Sequence, residues 1–551
     1  MKVLILTGGV ITPKEKSVSN FFRKQISQWK ASEQPWLELK IKSVIAEPLL
    51  YINLFKKRVL KKTKNLALKM FLEHNENFEI PELTEVTLTS LLRKEGIDYD
   101  LATYDDVFQN SAKLQKSLAD CSVIFASSTF LRDLSELEPI LELLKRPHNK
   151  IILGGALAGA LPKTWQGHPF IDVVAVGYGE FLVHPLSEWI KSGYQKLTAP
   201  PTGRIERKLH SVFMYSGVPQ TNSLDFIERP DWKAAQVDHR TNFNMIYYES
   251  VRGCPYRCAF CNYPYLFDDK KFRMKSAQKM ADDWQAYVSE LNIEYITCLD
   301  SLFTMPKARL IEFCRELIKR QVKVKWICYA RADDLCDEEA VELLVAAGCT
   351  QVQIGIESGD LGQLQRMNKR TTPEINSRAL INCRKFGLTT VATLIVGYPG
   401  ETAATIETTF DFLKSSPPDF FFIATFSTRV QGVPVLSESS RKQFSLVTAN
   451  NLYTISPYWA HSTMNCYEAS SWSHYLHEKL IKESVSLDAA AFYKSILVFE
   501  PALRAELLNL QVKAHASSWW IRNLFTYFNY AVNFFFKKDL NRALPAQVVS
   551  T

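Results

Sequence analysis

From about residue 245 onward the chain repeats one pattern six times: a short run of β-branched and aromatic residues, then a segment of helical periodicity. The runs are M-I-Y-Y-E-S-V near 245, I-E-Y-I-T-C-L-D near 293, V-K-V-K-W-I-C-Y-A near 322, T-Q-V-Q-I-G-I-E near 350, L-T-T-V-A-T-L-I-V-G near 388 and D-F-F-F-I-A-T-F near 419. Segments such as A-R-L-I-E-F-C-R-E-L-I-K-R and D-E-E-A-V-E-L-L-V-A-A-G lie between them, the second stopped by Gly348. Six strand-then-helix units in succession imply a parallel sheet, open or closed into a partial barrel. In such barrels the chemistry sits at the carboxyl ends of the strands.

The first 200 residues carry the α/β theme separately. M-K-V-L-I-L-T-G-G reads as a strand, and L-T-S-L-L-R-K-E-G-I-D-Y-D-L-A-T-Y as helix, glycine stop and strand. C-S-V-I-F-A-S-S-T, K-I-I-L-G-G-A-L-A-G and D-V-V-A-V-G-Y-G-E each read as a strand ending in small residues. Ligands of such sheets bind beyond the strand carboxyl ends, where small residues admit a close approach. At 551 residues with 46% hydrophobic content the chain is too long for one ordinary domain. The organisation expected is an α/β domain over 1–200, a linker over 201–240, the barrel over 241–436 and a helical region over 437–551.

The formal charge of +8 is small for this length and spread along the chain, which argues against a nucleic-acid partner. The N-terminal apolar run is too brief for a signal peptide. Eleven cysteines, scattered except for one cluster, fit a reducing cytoplasm better than a disulfide framework. No uninterrupted apolar stretch reaches the roughly 18 residues of a membrane span. The nearest, 519 to 536, is broken by Arg522, Asn523, Asn529 and Asn533 and reads as an amphipathic helix. The basic insert at 56 to 70 reads as a solvated helix face.

The one cysteine cluster is V-R-G-C-P-Y-R-C-A-F-C-N-Y-P, residues 251 to 264, directly after the first barrel strand and therefore at the reactive face. A four-iron cluster normally takes four thiolates, one for each iron; Cys254, Cys258 and Cys261 would leave one iron open to a small-molecule ligand. The competing reading is a zinc site completed from afar, although Cys298 lies 37 residues on and no histidine follows within 100. Three unrelated buried cysteines are the plain alternative.

Cys254, Cys258, Phe260 and Cys261 spell Cys-x-x-x-Cys-x-aromatic-Cys, and over roughly 245 to 435 the chain resembles the radical S-adenosylmethionine enzymes. The resemblance implies a [4Fe-4S] cluster whose open iron chelates S-adenosylmethionine, reductive cleavage to a 5'-deoxyadenosyl radical, and hydrogen abstraction from a substrate. By the same resemblance Phe260 would meet the adenine, and Asp300 and Ser301 would lie near the cofactor's amino group. Arg331 would clamp its carboxylate, Glu357 and Ser358 would accept from ribose or ammonium, and Gly397 and Gly400 of L-I-V-G-Y-P-G-E-T would sit against the adenine. A flavodoxin- or ferredoxin-type electron donor is implied as partner.

Ser127 and Ser128 of S-S-T-F, Gly154 and Gly155 of I-L-G-G-A, and Gly177 and Glu180 of V-G-Y-G-E resemble the Rossmann-like cobalamin-binding domain that precedes the barrel in one branch of that family. The fold implied is thus a Rossmann-like domain, a partial (β/α)6 TIM-like barrel and a helical C-terminal region. The Asp-x-His-x-x-Gly motif that supplies an axial histidine is absent, and no histidine precedes His74. A domain that keeps the fold and binds nothing is the alternative. P-Y-W-A-H-S-T-M-N-C-Y-E-A at 457 to 469 resembles a post-barrel element of the branch; Trp459, His461 and Cys466 would line the substrate cavity, or His461 would move a proton.

With both cofactors the expected reaction is methyl transfer to an unactivated carbon of a natural product, lipid or peptide. The same cofactors could serve ring formation or rearrangement. A non-catalytic iron–sulfur electron carrier is the reading from another class.

Overall fold

The computed structural model of the chain describes residues 2–8, 64–73, 80–129, 131, 134–161, 163–265, 269, 271–427, 432–448, 459–489, 492 and 495–517. The segment 519 to 536 and the part of the basic insert before residue 64 lie outside these. What is described of the insert includes the helix Leu66–Glu73.

Two seven-stranded sheets organise the molecule. The first runs Asp98–Thr103, Lys2–Thr7, Val123–Ser127, Lys150–Gly154, Val173–Val176, Val212–Tyr215, Arg204–Arg207, every adjacent pair parallel except the last. Val123–Ser127 is buried at all five positions, as a strand covered on both faces must be. The chain leaves Lys2–Thr7 toward one edge and returns to build the other, so a topological switch falls beside Val123–Ser127. The expected linker over 201–240 is corrected here. Its residues 204–207 and 212–215 form a hairpin that caps this sheet's edge, with Arg204 lying 3.8 Å over the Tyr215 ring. Composition hid the hairpin because Arg204–Arg207 is an edge strand, polar and mostly exposed.

The second sheet contains the six expected strands as consecutive parallel neighbours: Met245–Tyr248, Tyr295–Cys298, Lys325–Ala330, Cys349–Glu357, Thr389–Val396 and Phe420–Thr425. A seventh, Leu487–Asp488, adds in parallel beyond the sixth. Alternation along each strand separates two faces. Ile246, Ile296, Cys328, Ile354, Ala392 and Phe421 face outward into the main core under the helices. The C-terminal part is not helical throughout: besides the helices Cys466–Lys482 and Arg504–Ser517 it holds a three-stranded antiparallel patch at 447–448, 459–461 and 464–465.

On the inner face, the amino-terminal end is sealed. Val391 and Phe420 are buried with Leu487, Phe492, Phe499 and Leu507, and Phe71 of the helix Leu66–Glu73 joins them. The chain's C-terminal elements therefore floor the barrel and leave its carboxyl end open. Among the described residues no helix is long and apolar enough to cross a membrane.

Candidate active site

The cysteine loop leaves the two-residue strand Val251–Arg252 and is held from three sides. Asp300, just past the second barrel strand, accepts from the Ser250 and Val251 amides at 2.6 and 2.8 Å and from the Ser250 hydroxyl at 2.5 Å. Ser301 donates to the Gly253 carbonyl at 2.7 Å. The Ala259 amide donates to the Met367 carbonyl, and the Val435 amide to the Ala259 carbonyl. Burial lifts the Asp300 carboxyl to about 6 against the pull of its hydrogen bonds and of Arg309. Asp300 and Ser301, which the sequence suggested for a cofactor's amino group, thus grip the backbone that carries the cysteines.

Cys254, Cys258 and Cys261 stand half-buried on this loop. Burial pushes all three thiols up, Cys261 to about 11, while the nearby positive charge of Lys369 draws each back. Among the described residues no three His, Cys, Asp or Glu side chains converge on one ion.

Lys369 was not foreseen. Its ammonium donates to Glu357 at 2.7 Å and lies 5.8 Å from the centre of the Phe260 ring. Burial would lower its pKa, but Glu357 and Cys258 outweigh that and raise it. The pair is possible because the strand bulges between Gly355 and Glu357, and Glu357 takes a φ of 61°, uncommon outside glycine. A Cβ at Gly355 would stand 2.5 Å from both charged atoms. In the sequence Lys369 is one basic residue in the turn M-N-K-R-T, with nothing to mark its partner.

Arg331 stacks 3.8 Å over Tyr256, donates from Nε to Asp333 at 2.8 Å, and from Nη2 to the Lys369 and Arg370 carbonyls at 2.9 and 3.0 Å. Much of its donor fork is therefore engaged by protein. Phe260 meets Tyr398 edge to face at 6.4 Å. Ser358 is turned away: its hydroxyl shares a hydrogen with Thr409 at 3.1 Å and accepts from the Asp360 amide. The space above Gly397, with φ 90°, is filled by Ala469 and Trp459, and Gly400 abuts Arg366. Those two glycines admit protein neighbours at the positions suggested for adenine.

His461 lies buried, stacked on Trp459 at 5.2 Å. Its Nδ1 accepts from the Thr463 and Met464 amides, so Nε2 carries the hydrogen and donates to the Gly397 carbonyl at 3.2 Å. Burial lowers its pKa to about 4. This buried ring, engaged at both nitrogens, ties the patch at 459–465 to the Gly397 turn.

At the carboxyl ends of the first sheet lies a cavity of about 300 Å³ between the sheet and the helices Leu83–Lys94 and Gly179–Lys191. Ser127, Gly154, Gly155, Gly177 and Glu180 line it as expected. Ser128 does not; its hydroxyl donates to the Gly154 carbonyl and accepts from the Ala158 amide. The cavity wall is mostly apolar, with Phe125, Ile152 and Leu186 among its side chains. From the barrel side, Glu249 after the first strand, Arg252 of the short strand Val251–Arg252 and Leu299 after the second strand also line it. Arg252 binds Glu180 through both terminal nitrogens at 3.0 and 2.8 Å, binds Glu249 at 2.8 Å, and lies over Tyr178. Burial would raise the Glu180 carboxyl, but the Arg252 charge and hydrogen bonds win and hold it below the usual range. Since Arg252 stands two residues before Cys254, this ion cluster ties the cavity to the cysteine loop.

Residues 248–413, which include the cysteine loop and the second to fifth strands of the second sheet, match the model of the Radical SAM superfamily. The chain is 27% identical over 348 residues to the anaerobic magnesium-protoporphyrin IX monomethyl ester cyclase of Rubrivivax gelatinosus, covering 60% of each chain. It is 26% identical over 365 residues to an uncharacterised methyltransferase of Pyrococcus horikoshii, covering 63% of this chain and 76% of that one. The cyclase is thus matched over less than two thirds of its length. In fold the chain is similar to the radical S-adenosylmethionine methyltransferase TsrM of Kitasatospora setae, with a TM-score of 0.54 and 16% identity over 80% of this chain and 76% of that one.

Proposed function

We propose that the protein is a radical S-adenosylmethionine enzyme that uses a [4Fe-4S] cluster and cobalamin to methylate an unactivated carbon of a natural-product, lipid or peptide substrate. The observation that carries this reading is one ion cluster, Glu180–Arg252–Glu249, joining a preformed cavity to a three-cysteine loop. Cys254, Cys258 and Cys261 would hold the cluster, and the cavity beside Ser127, Gly154, Gly155 and Gly177 would receive the cobalamin. The TsrM structure that shares this fold contains both cofactors. When bound, these groups supply a carbon-centred radical for hydrogen abstraction and a transferable methyl group.

The protein's own residues do the rest. Asp300 and Ser301 fix the loop that bears the thiols. Lys369 and Arg331 set positive charge beside them, which favours the thiolate forms that bind iron. Phe260 and Tyr398 wall the site with apolar rings that exclude water. We assign the Rossmann-like part to 1–200 together with the hairpin at 204–215, the barrel to 241–436 and the C-terminal region to 437–551. A flavodoxin- or ferredoxin-type donor and a cytoplasmic location belong to the same reading.

The test is anaerobic reconstitution with iron, sulfide and hydroxocobalamin, then reduction with S-adenosylmethionine and candidate substrates. A product heavier by one methylene, formed with S-adenosylhomocysteine and 5'-deoxyadenosine, supports methylation. A product of unchanged carbon count supports ring formation, the reading favoured by the similarity to the cyclase. No cleavage of S-adenosylmethionine by protein that holds iron refutes both.

A further inference from the structure

Parallel sheets ordinarily bury both faces. The inner face of the second sheet departs from this at its carboxyl-terminal half. Phe422, in the middle of the sixth strand, is 46% exposed, Tyr329 of the third strand 39% and Leu299, just past the second, 40%. These side chains lie on one face: Tyr329 pairs with Gln353 across the third and fourth strands, and Gly355, Thr393 and Phe422 run across the fourth, fifth and sixth. The opposite face at this level, with Ile354, Ala392 and Phe421, is buried under helices.

The chemistry of this face is uniform. Between Lys325 at the amino end and Arg331, Glu357 and Lys369 at the carboxyl rim, none of its positions carries a charged residue. Its polar groups are uncharged: the Tyr247 and Tyr329 hydroxyls, Thr297, Gln353 and Thr393, the last already donating to the Ile354 carbonyl, with Gln351 and Thr389 buried below them. Below, the floor of Val391, Phe420 and the C-terminal elements is closed. To one side Leu299 also lines the rim of the first-sheet cavity. The exposed wall is therefore continuous with the proposed cofactor site.

We infer that the part of the substrate seated in the barrel is an uncharged, apolar group with a flat face, held between Phe422 and Tyr329, while any ionic group of the substrate stays at the rim. A charged group placed against this wall would lose its hydration with no counter-ion to replace it. An apolar face covers the exposed aromatic rings and gains from their burial. This inference deepens the proposed function and rests on it for the identity of the site.

The neutral, planar dye Nile red probes the wall directly. Full-length, cluster-reconstituted protein is titrated with it and fluorescence recorded, for wild type, Phe422→Glu, Phe422→Leu and Gly154→Leu. The last variant fills the first-sheet cavity, which is also apolar. Expected are saturable binding by wild type, Phe422→Leu and Gly154→Leu, and binding weaker by on the order of tenfold or more for Phe422→Glu. Iron content verifies that each variant is folded and loaded. Should Phe422→Glu misfold, Thr393→Asp places the charge beside the same ring and is read in the same way. No binding by wild type, equal binding by the correctly loaded Glu or Asp variant, or loss in Gly154→Leu alone would overturn the inference. Wild-type protein that binds the dye at this wall yet never cleaves S-adenosylmethionine would instead sink the proposed function and leave the wall's chemistry standing.

Discussion

The two sheets offer sites at the same place, the carboxyl ends of parallel strands, but by opposite means. The first makes room by leaving side chains out: Gly154, Gly155 and Gly177 beside Ser127 open a cavity whose walls are apolar and already formed. The second brings charge in: Lys369, Glu357 and Arg331 crowd behind three half-buried thiols, and a bulged strand with a positive-φ glutamate holds the pair in place. A site built by omission selects its occupant by shape. A site built by charge selects by protonation state and ligand field. Glu180–Arg252–Glu249 is where the two meet.

The sharpest way to break this comparison is to remove the thiols. Cys254→Ala, Cys258→Ala and Cys261→Ala should each abolish the iron–sulfur absorbance of the reconstituted protein, while cobalamin retention stays as in wild type. Cys298→Ala should keep the cluster, because Cys298 is buried on the outer face of the sheet. Loss of iron in Cys298→Ala would mean that the open corner does not exist.

Next in size is the link between the sites. Arg252→Ala leaves Glu180 and Glu249 without their shared cation, and uncompensated burial of this kind costs about 3–5 kcal/mol. The urea midpoint should fall accordingly. Arg252→Lys keeps the charge and loses the two-pronged contact with Glu180, so it should fall between. If Arg252→Ala unfolds at the wild-type midpoint, the two sheets are independent and the ion cluster is incidental.

A smaller effect separates shape from charge. Gly154→Leu projects a side chain into the cavity, where overpacking costs about 1–3 kcal/mol, or about 5- to 150-fold in affinity for its occupant. Hydroxocobalamin retention on gel filtration should drop while iron content does not. Equal retention would place the corrin elsewhere.

What the sequence disclosed follows the same division. All six barrel strands were legible because each is an apolar or β-branched run, and the cysteine spacing is local. Five of the six small or acidic residues proposed for the first sheet line its cavity, since strand ends rich in glycine are a local signal. What stayed hidden was non-local. Lys369 finds Glu357 only because a bulge turns the strand. Asp300, Ser301 and Ser358 look like ligand-binding polar groups in sequence, yet fold to bind backbone or a helix hydroxyl. Arg204–Arg207 reads as linker because edge strands carry the polarity that loops do.

A last, pH-dependent effect concerns the Gly397 turn, held from both sides by groups whose protonation is shifted in opposite directions. The His461 ring contacts the Gly397 carbonyl and titrates in the folded protein at about 4 against an ordinary 6.5, because it is buried. The unfolded chain therefore takes up a proton that the folded chain refuses. The contribution of His461 is complete above 6.5 and lost as pH falls through the interval to 4. The Glu401 carboxyl accepts from the Gly397 amide, and burial lifts it to about 8 from 4.5. Here the folded chain keeps a proton that the unfolded chain releases, so this contribution is complete below 4.5 and lost as pH rises through 8. Between 4.5 and 6.5 the two slopes oppose each other, and stability changes little from this turn. His461→Gln should uncover a stability that declines from pH 4.5 to 8, and Glu401→Gln one that rises from pH 4 to 6.5, each read from urea midpoints across pH. Parallel profiles for the two variants would show that this turn does not couple to the folding equilibrium, and that the polar groups engaged around Gly397 matter less than the packing of Trp459 and Ala469 over it.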